Sequence, residues 1–290
     1  MQNKLISGKA LSNQILNDIK LKLDQGYSNG SQKAGLAVVL VGDNEASKVY
    51  VNNKKNACEK IGITSYEHKL DAQTTQEQLL DLINQLNQDP CIHGILVQLP
   101  LPKHIDPNVI IDAINPNKDV DGFHRYNIGS LAINNPTLSP CTPQGVIYML
   151  DSVNFNYRGS HVVVLGSSNI VGRPMALELL NRKATVTVCN SQTRDIKDIT
   201  ALADALIVAV GKPNLVDDNW IKPGAVVIDV GINRNHDGKL CGDVNLDAVI
   251  NKVKYISPVP GGVGPLTIAM LMKNAYTCYS KSQINKTNLI

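Results

Sequence analysis

Residues 161–174 read His-Val-Val-Val-Leu-Gly-Ser-Ser-Asn-Ile-Val-Gly-Arg-Pro. His161–Leu165 is a short Val-rich run of strand type, and Val171–Asn181 behind it has helical spacing. A turn containing Gly166 and closed by Gly172 joins them. Strand, glycine turn and helix N-terminus is an arrangement that binds pyrophosphate, because free N–H groups and the positive dipole end of the helix face the anion. The spacing departs from G-x-G-x-x-G, with Ser168 where the middle glycine would stand, and such a turn alone serves equally well as a plain β–α connection. Gly166, Ser167, Ser168, Ile170, Val171 and Gly172 are the candidate nucleotide contacts.

The same rhythm continues on both sides. Ala184–Val188, Ala205–Val210 and Ala225–Val230 are candidate strands, and Ile196–Leu202 is a candidate helix. The strand runs are continuous and Val/Ile-rich, which predicts a parallel sheet covered on both faces. Upstream, Gly35–Val41, Ile63–Leu70 and Ile92–Leu99 read as strands. Ala46–Ile61 and Thr74–Leu86 read as helices, the second with Thr74 as cap and Glu77 three residues on. The alternation predicts an α/β protein of two domains, as does the length of 290 residues. The expected division is 1–139, completed by a returning helix at 268–290, and a Rossmann-like nucleotide domain at 140–267. The turns 209–213 and 229–233 follow strands, which adds Gly211 and Ile232 to the nucleotide set. After Ala184–Val188 no acid is present to hold a ribose 2′-hydroxyl; Ser191 and Arg194 stand there and suit a 2′-phosphate. The expectation is NADP rather than NAD.

Composition narrows the class. A charged fraction of 18% and a hydrophobic fraction of 43% belong to an ordinary globular chain. A net charge of +3 gives no reason to expect nucleic acid or a membrane surface as partner. The six cysteines are scattered, without C-x-x-C, and no metal site is expected. The first residues lack an apolar signal core, so a cytoplasmic protein is expected.

Three clusters and one turn carry candidate chemistry. Tyr50 and Lys54 share a helix face, so a ring to stack on a planar ligand lies beside an amine. Gln98 is the one polar side chain in Gly94–Leu99 and needs a partner at a buried strand end. Asp119 and Asp121 precede Gly122, either as a turn cap or as acceptors for the N–H edge of a heterocycle. Residues 258–265, Pro-Val-Pro-Gly-Gly-Val-Gly-Pro, form a rigid turn that opens into an apolar helix and brings bare backbone close to a ligand.

Taken in order, Tyr50-Val-x-x-Lys54, Gly94-Ile-Leu-Val-Gln-Leu-Pro-Leu-Pro102, Asp119-Val-Asp-Gly-Phe123, Pro140-Cys-Thr-Pro143, Gly166-x-Ser-x-Ile-Val-Gly172 and the 258–265 turn resemble the bifunctional methylenetetrahydrofolate dehydrogenase/cyclohydrolases of the FolD type. The resemblance implies oxidation of 5,10-methylenetetrahydrofolate with NADP and hydrolysis of the methenyl product to 10-formyltetrahydrofolate. These are steps of one-carbon metabolism that serve purine biosynthesis. It implies a folate in a cleft between the domains and a homodimer through the second domain. Lys54 would be the catalytic lysine, Gln98 would position it, and Tyr50 would stack on or position the pterin. Asp121 would accept from the aminopyrimidine edge. Leu99, Pro100, Pro260, Gly261, Gly262 and Val263 would line the folate pocket. Two departures stand out: Ser167 where many relatives carry Arg, and Asn56 where many carry a second Lys, which leaves Lys55 as competitor for the role of Lys54. The alternatives are a monofunctional dehydrogenase and a silent folate- or nucleotide-binding module.

Overall fold

The computed structural model describes residues 4–235 and 237–287. The chain divides into two compact units, one of Asn13–Ser139 with Ile268–Ile290, the other of Pro140–Thr267 with Met1–Ser12. Residues 1–3 of the expected leaderless start and 288–290 of the expected returning helix lie outside the described residues. Both units are α/β, with parallel sheets.

The first unit contains most of α1 (Gly8–Ser28), then β1 (Gly35–Val41), α2 (Glu45–Ile61), β2 (Thr64–Leu70), α3 (Gln76–Gln88), β3 (Gly94–Val97), α4 (Pro107–Ala113) and α5 (Arg125–Ala132). Its sheet runs β2-β1-β3, all parallel, with Gly35 opposite Thr64 and Leu36 opposite Gly94. Every residue of central β1 is buried. Ala37, Val39 and Val41 pack against Leu79, Ile83 and Leu86, the i, i+4, i+7 stripe of α3. Each of these Val, Leu and Ile side chains contributes about 1.5–3 kcal/mol by leaving water. The cap of α3 lies one residue later than expected: Thr75 Oγ1 accepts from Gln78 N–H at 3.2 Å and Gln78 Oε1 accepts from Thr75 N–H at 2.9 Å. β3 ends at Val97, so Gln98 stands just beyond the strand. α1 has no counterpart in the sequence reading, although Ile15, Ile19 and Leu23 carry helical spacing and are buried.

The second unit contains α6 (Cys141–Ser152), β4 (His161–Leu165), α7 (Gly172–Asn181), β5 (Thr185–Cys189), α8 (Ile196–Thr200), β6 (Ala205–Val208), β7 (Val226–Asp229), the hairpin β8 (Asn233–Arg234) and β9 (Leu240–Cys241), α9 (Leu246–Val249) and β10 (Tyr255–Ile256). α10 (Val263–Thr287) starts in its range, and from Ile268 onward counts with the first unit. The sheet order is β10-β7-β6-β4-β5, all parallel. β4 is first in sequence yet lies between β5 and β6, so the order reverses beside it. The carboxyl ends of β4 and β6 therefore flank the switch point where open α/β sheets bind ligands. β6 and β7 are buried throughout, as their continuous apolar runs predict. β5 is not covered on both faces: it is the last strand of the order, and Val188 is 38% exposed.

Residues 1–12, expected with the first domain, count with the second unit. Backbone pairing is the cause. Ile6 N–H donates to Ile256 O at 2.9 Å, and Leu5 forms a parallel bridge with Ile256. Lys9 N–H donates to Gly261 O at 3.1 Å, and Lys4 Nζ to Ile250 O at 3.0 Å. Among the described residues no helix is long and apolar enough to cross a membrane.

Candidate active site

In the first unit the chemistry begins on α2. Asn44 caps it, accepting from Ser47 N–H at 3.0 Å, and this sets the helix phase. Ser47, Val51, Lys54, Cys58 and Ile61 then form one buried stripe. Lys54 is thus a lysine in a core position, 8% exposed. A buried ammonium requires a partner, and Lys54 Nζ donates to Gln98 Oε1 at 2.9 Å. Gln98 is held at both ends. Its N–H donates to Val39 O at 2.8 Å, and its Nε2 donates to Leu99 O at 2.6 Å, which leaves Oε1 turned to the lysine. Lys55 points elsewhere, into an ion pair with Glu67 of β2 at 2.9 Å. That pair raises the Lys55 pKa and lowers that of Glu67.

Asp119 and Asp121 have separate roles. Asp119 is buried and closes the turn: Oδ1 accepts from Gly122 N–H at 3.1 Å, and Oδ2 accepts from His124 N–H and Asn127 Nδ2, both at 2.8 Å. Asn274 of α10 ties this segment to the chain around Ser139, with Nδ2 donating to Val120 O at 2.8 Å and to Ser139 O at 3.0 Å. Asp121 accepts no hydrogen bond among the described residues, although part of its surface reaches solvent. Burial pushes its carboxyl from 3.8 up to about 6; the Lys54 ammonium pulls it down and the Asp119 carboxylate pushes it up. Lys54, Gln98 and Asp121 therefore form one electrostatic group. Tyr50, one turn before Lys54, is 36% exposed, and partial burial raises its hydroxyl. Leu99 is half-buried and Pro100 exposed, and the bond joining them is cis.

In the second unit Gly166 has φ 122°, and a Cβ there would collide with the Ala209 carbonyl oxygen. The turns after β4 and β6 are thus in contact across the switch point. Gly166 N–H also donates to Cys189 O at 2.9 Å, which joins the end of β5 to the same place. Ser168 explains the missing middle glycine. Its Oγ accepts from Val171 N–H at 3.2 Å and Gly172 N–H at 3.4 Å, and its carbonyl accepts from Arg173 N–H at 3.0 Å. Pro174 has no N–H, so the first donors of α7 are largely satisfied within the chain. The N–H groups expected to face an anion at this turn are in part engaged by Ser168. Ser168 and Ile170 are exposed, with Ser167 and Val171 half-buried beside them and Gly172 buried. Ser191 and Arg194 are exposed after β5, and Gly211 and Ile232 after β6 and β7. The geometry fits a nicotinamide dinucleotide: a glycine turn at the switch point, exposed hydroxyls, and the exposed cations Arg173 and Arg194.

The 258–263 turn contains the cis bond Val259–Pro260 and Gly261 at φ 96°. Pro260 is exposed, Gly262 and Val263 are buried, and α10 begins at Val263. The supports Lys9, Asn127, Asn274 and Asp243 were outside the sequence reading. For Asp243, two glycines that abut carboxylates, Gly231 and Gly242, were the available signal. Among the described residues no group of three or more His, Cys, Asp or Glu side chains could hold a metal ion.

Residues 6–121 match the catalytic domain of tetrahydrofolate dehydrogenase/cyclohydrolase, and residues 140–283 match its NAD(P)-binding domain. The bifunctional protein FolD of Magnetococcus marinus is 54% identical over 93% of this chain and 95% of that protein. The crystal structure of the bifunctional FolD of Campylobacter jejuni superposes with a TM-score of 0.94 at 48% identity, covering 96% of this chain and 98% of that one. A Trypanosoma brucei FolD solved with NADP and an inhibitor superposes at 0.92 with 38% identity, covering 96% and 98%. The chain belongs to the tetrahydrofolate dehydrogenase/cyclohydrolase family.

Proposed function

We propose that this chain oxidises 5,10-methylenetetrahydrofolate with NADP+ and hydrolyses the methenyl product to 10-formyltetrahydrofolate. The observation that carries the reading is the buried Lys54 amine on the Gln98 amide, with the open Asp121 carboxylate within its electrostatic reach. Bound NADP+ supplies the hydride acceptor. Asp121 accepts from the amino and ring N–H groups of the pterin, and Tyr50 positions its ring. Leu99, Pro100 and the Pro260–Val263 turn complete the folate contacts. Loss of hydride leaves a cationic methenyl group, and a cation nearby favours the neutral, basic form of an amine. Lys54 then takes a proton from the water that adds to the methenyl carbon. The bond from that carbon to N5 breaks, N5 gains a proton, and the formyl group stays on N10. Gln98 holds Lys54 in line through this sequence.

The nucleotide is NADP rather than NAD, read by Ser191 and Arg194, with Gly166, Ser167, Ser168, Ile170, Val171, Gly172, Gly211 and Ile232 around it. The protein acts in the cytoplasm as a homodimer and supplies one-carbon units for purine synthesis. The test is an assay with methylenetetrahydrofolate and either NADP+ or NAD+, following reduced nucleotide and 10-formyl product. NADP-dependent reduction with enzyme-dependent hydrolysis is expected. In Lys54→Ala the hydrolysis rate is expected to fall by about 10²–10⁴-fold, the usual contribution of a positioned proton-transfer group; the dehydrogenase rate, whose hydride transfer moves no proton through Lys54, is expected to fall less. No turnover of folate with either nucleotide would sink the reading.

A further inference from the structure

Two buried carboxylates in the second unit have no part in the chemistry above. Asp243 is 0% exposed and Asp229 is 3% exposed. Asp243 gathers the turn after β6: Oδ2 accepts from Val210 N–H at 2.7 Å and Gly211 N–H at 3.0 Å, and Oδ1 accepts from Lys212 N–H at 2.9 Å. Asn233 Nδ2 adds a fourth donor at 2.8 Å. Asp229 stands behind it, with Oδ1 accepting from the Asp243 N–H at 3.0 Å and Oδ2 from Val244 N–H at 2.9 Å. Gly231 leaves room for this stack, since a Cβ there would collide with the Asp243 carboxyl group.

The consequence follows from the planar trans peptide, in which N–H and C=O point opposite ways. Three consecutive N–H groups converge on one carboxylate, so the carbonyls of Ala209, Val210 and Gly211 diverge from it. The Ala209 oxygen accordingly faces Gly166, on the switch-point side. We propose that Asp243 is a positioning residue for the nucleotide site, holding the 209–212 turn with its carbonyl oxygens outward as acceptors. The turn then reads a hydrogen-bond donor of the dinucleotide, a ribose hydroxyl or the carboxamide NH2, and not a phosphate. This rests on the nucleotide reading of the second unit.

Asp243→Asn tests it, because an amide places an NH2 where one carboxylate oxygen accepted. In the nucleotide-free protein, hydrogen exchange of the Val210–Lys212 amides is expected to lose protection. Calorimetry with NADP+ is expected to show about tenfold or greater weakening, the scale of one charge-assisted hydrogen bond. KM for NADP+ should rise in parallel, with kcat and the methenyltetrahydrofolate hydrolysis rate within about threefold, a split that general destabilisation does not give. The 3-acetylpyridine analogue of NADP+, which lacks the amide NH2, separates the donors. If the carboxamide is the donor read, it loses affinity for the wild type and little more for the variant. If a ribose hydroxyl is read, it weakens as much as NADP+ does. Unchanged amide protection, or NADP+ affinity within twofold of wild type, overturns the proposal. If Asp243→Asn does not fold, Asn233→Ala decides: a threefold or greater weakening of NADP+ supports it, and no change overturns it. Folate turnover in the wild type tests the nucleotide reading separately.

Discussion

Lys54 and Lys55 are adjacent in sequence and opposite in circumstance. Helix phase turns Lys54 into the core stripe of α2 and onto Gln98, while Lys55 stands outside it, paired with Glu67. Lys55→Ala is therefore expected to keep both activities within about twofold, since exposed ion pairs contribute 0–1 kcal/mol. A Lys55→Ala variant as inactive as Lys54→Ala would show that the wrong lysine has been assigned. Asp121 gives a second prediction. Its carboxyl titrates at about 6. In the proposed role it would be ionised above that pH and accept from both pterin donors, whereas below it a proton would occupy one oxygen. The folate KM is expected to be flat from pH 7 to 8 and to rise as pH falls through 6. In Asp121→Asn the KM at pH 7.5 should be raised by about tenfold or more, by loss of charge-assisted hydrogen bonds, and the inflection near 6 should vanish. Persistence of the inflection in that variant would assign it to another group.

Elements were legible where one local rule decided them. β1, β6 and β7 are short apolar runs with turn residues at their ends, and parallel sheets bury such runs on both faces. The start of α3 was ambiguous because Thr74-Thr75-Gln76-Glu77-Gln78 holds two overlapping capping boxes. The structure uses the second, and Thr75→Ala is expected to cost about 1 kcal/mol of unfolding free energy in urea titration. Thr74→Ala should cost less than half of that. The clustering of Lys54 with Gln98 was not legible from spacing, because 44 residues separate them. Neither was the bracing of Asp121, since Asn274 reaches the Val120 carbonyl from 154 residues away. Asn, Gln and buried Asp in such places have no local signature; their partners exist only once the chain has folded. Asn274→Leu removes one hydrogen bond from the segment carrying Asp121, at Val120, and a second from Ser139. It is expected to raise folate KM about tenfold while NADP+ affinity stays within twofold, as read by calorimetry.

At the scale of the molecule, the second unit leaves one sheet edge exposed. β5 ends the order β10-β7-β6-β4-β5, and its residues Thr-Val-Thr-Val-Cys carry no charge or proline. Soluble proteins blunt such an edge with lysine, proline or a cover, because its unpaired backbone groups and apolar side chains invite another strand. Val188, 38% exposed, stands on this edge next to the turn that carries Ser191 and Arg194. The proposed homodimer would supply the cover without a further element. A two-fold axis would set the edge of one copy against the same edge of the other, so a single substitution acts twice. Val188→Lys places two like charges in that contact and loses apolar burial on both sides. The expected outcome is a dimer for the wild type and a monomer for Val188→Lys in light scattering at micromolar concentration, with the cyclohydrolase rate per chain retained. A wild-type monomer would remove the homodimer from the reading. A Val188→Lys protein that remains dimeric would move the interface off β5 and leave this edge protected by its shortness alone.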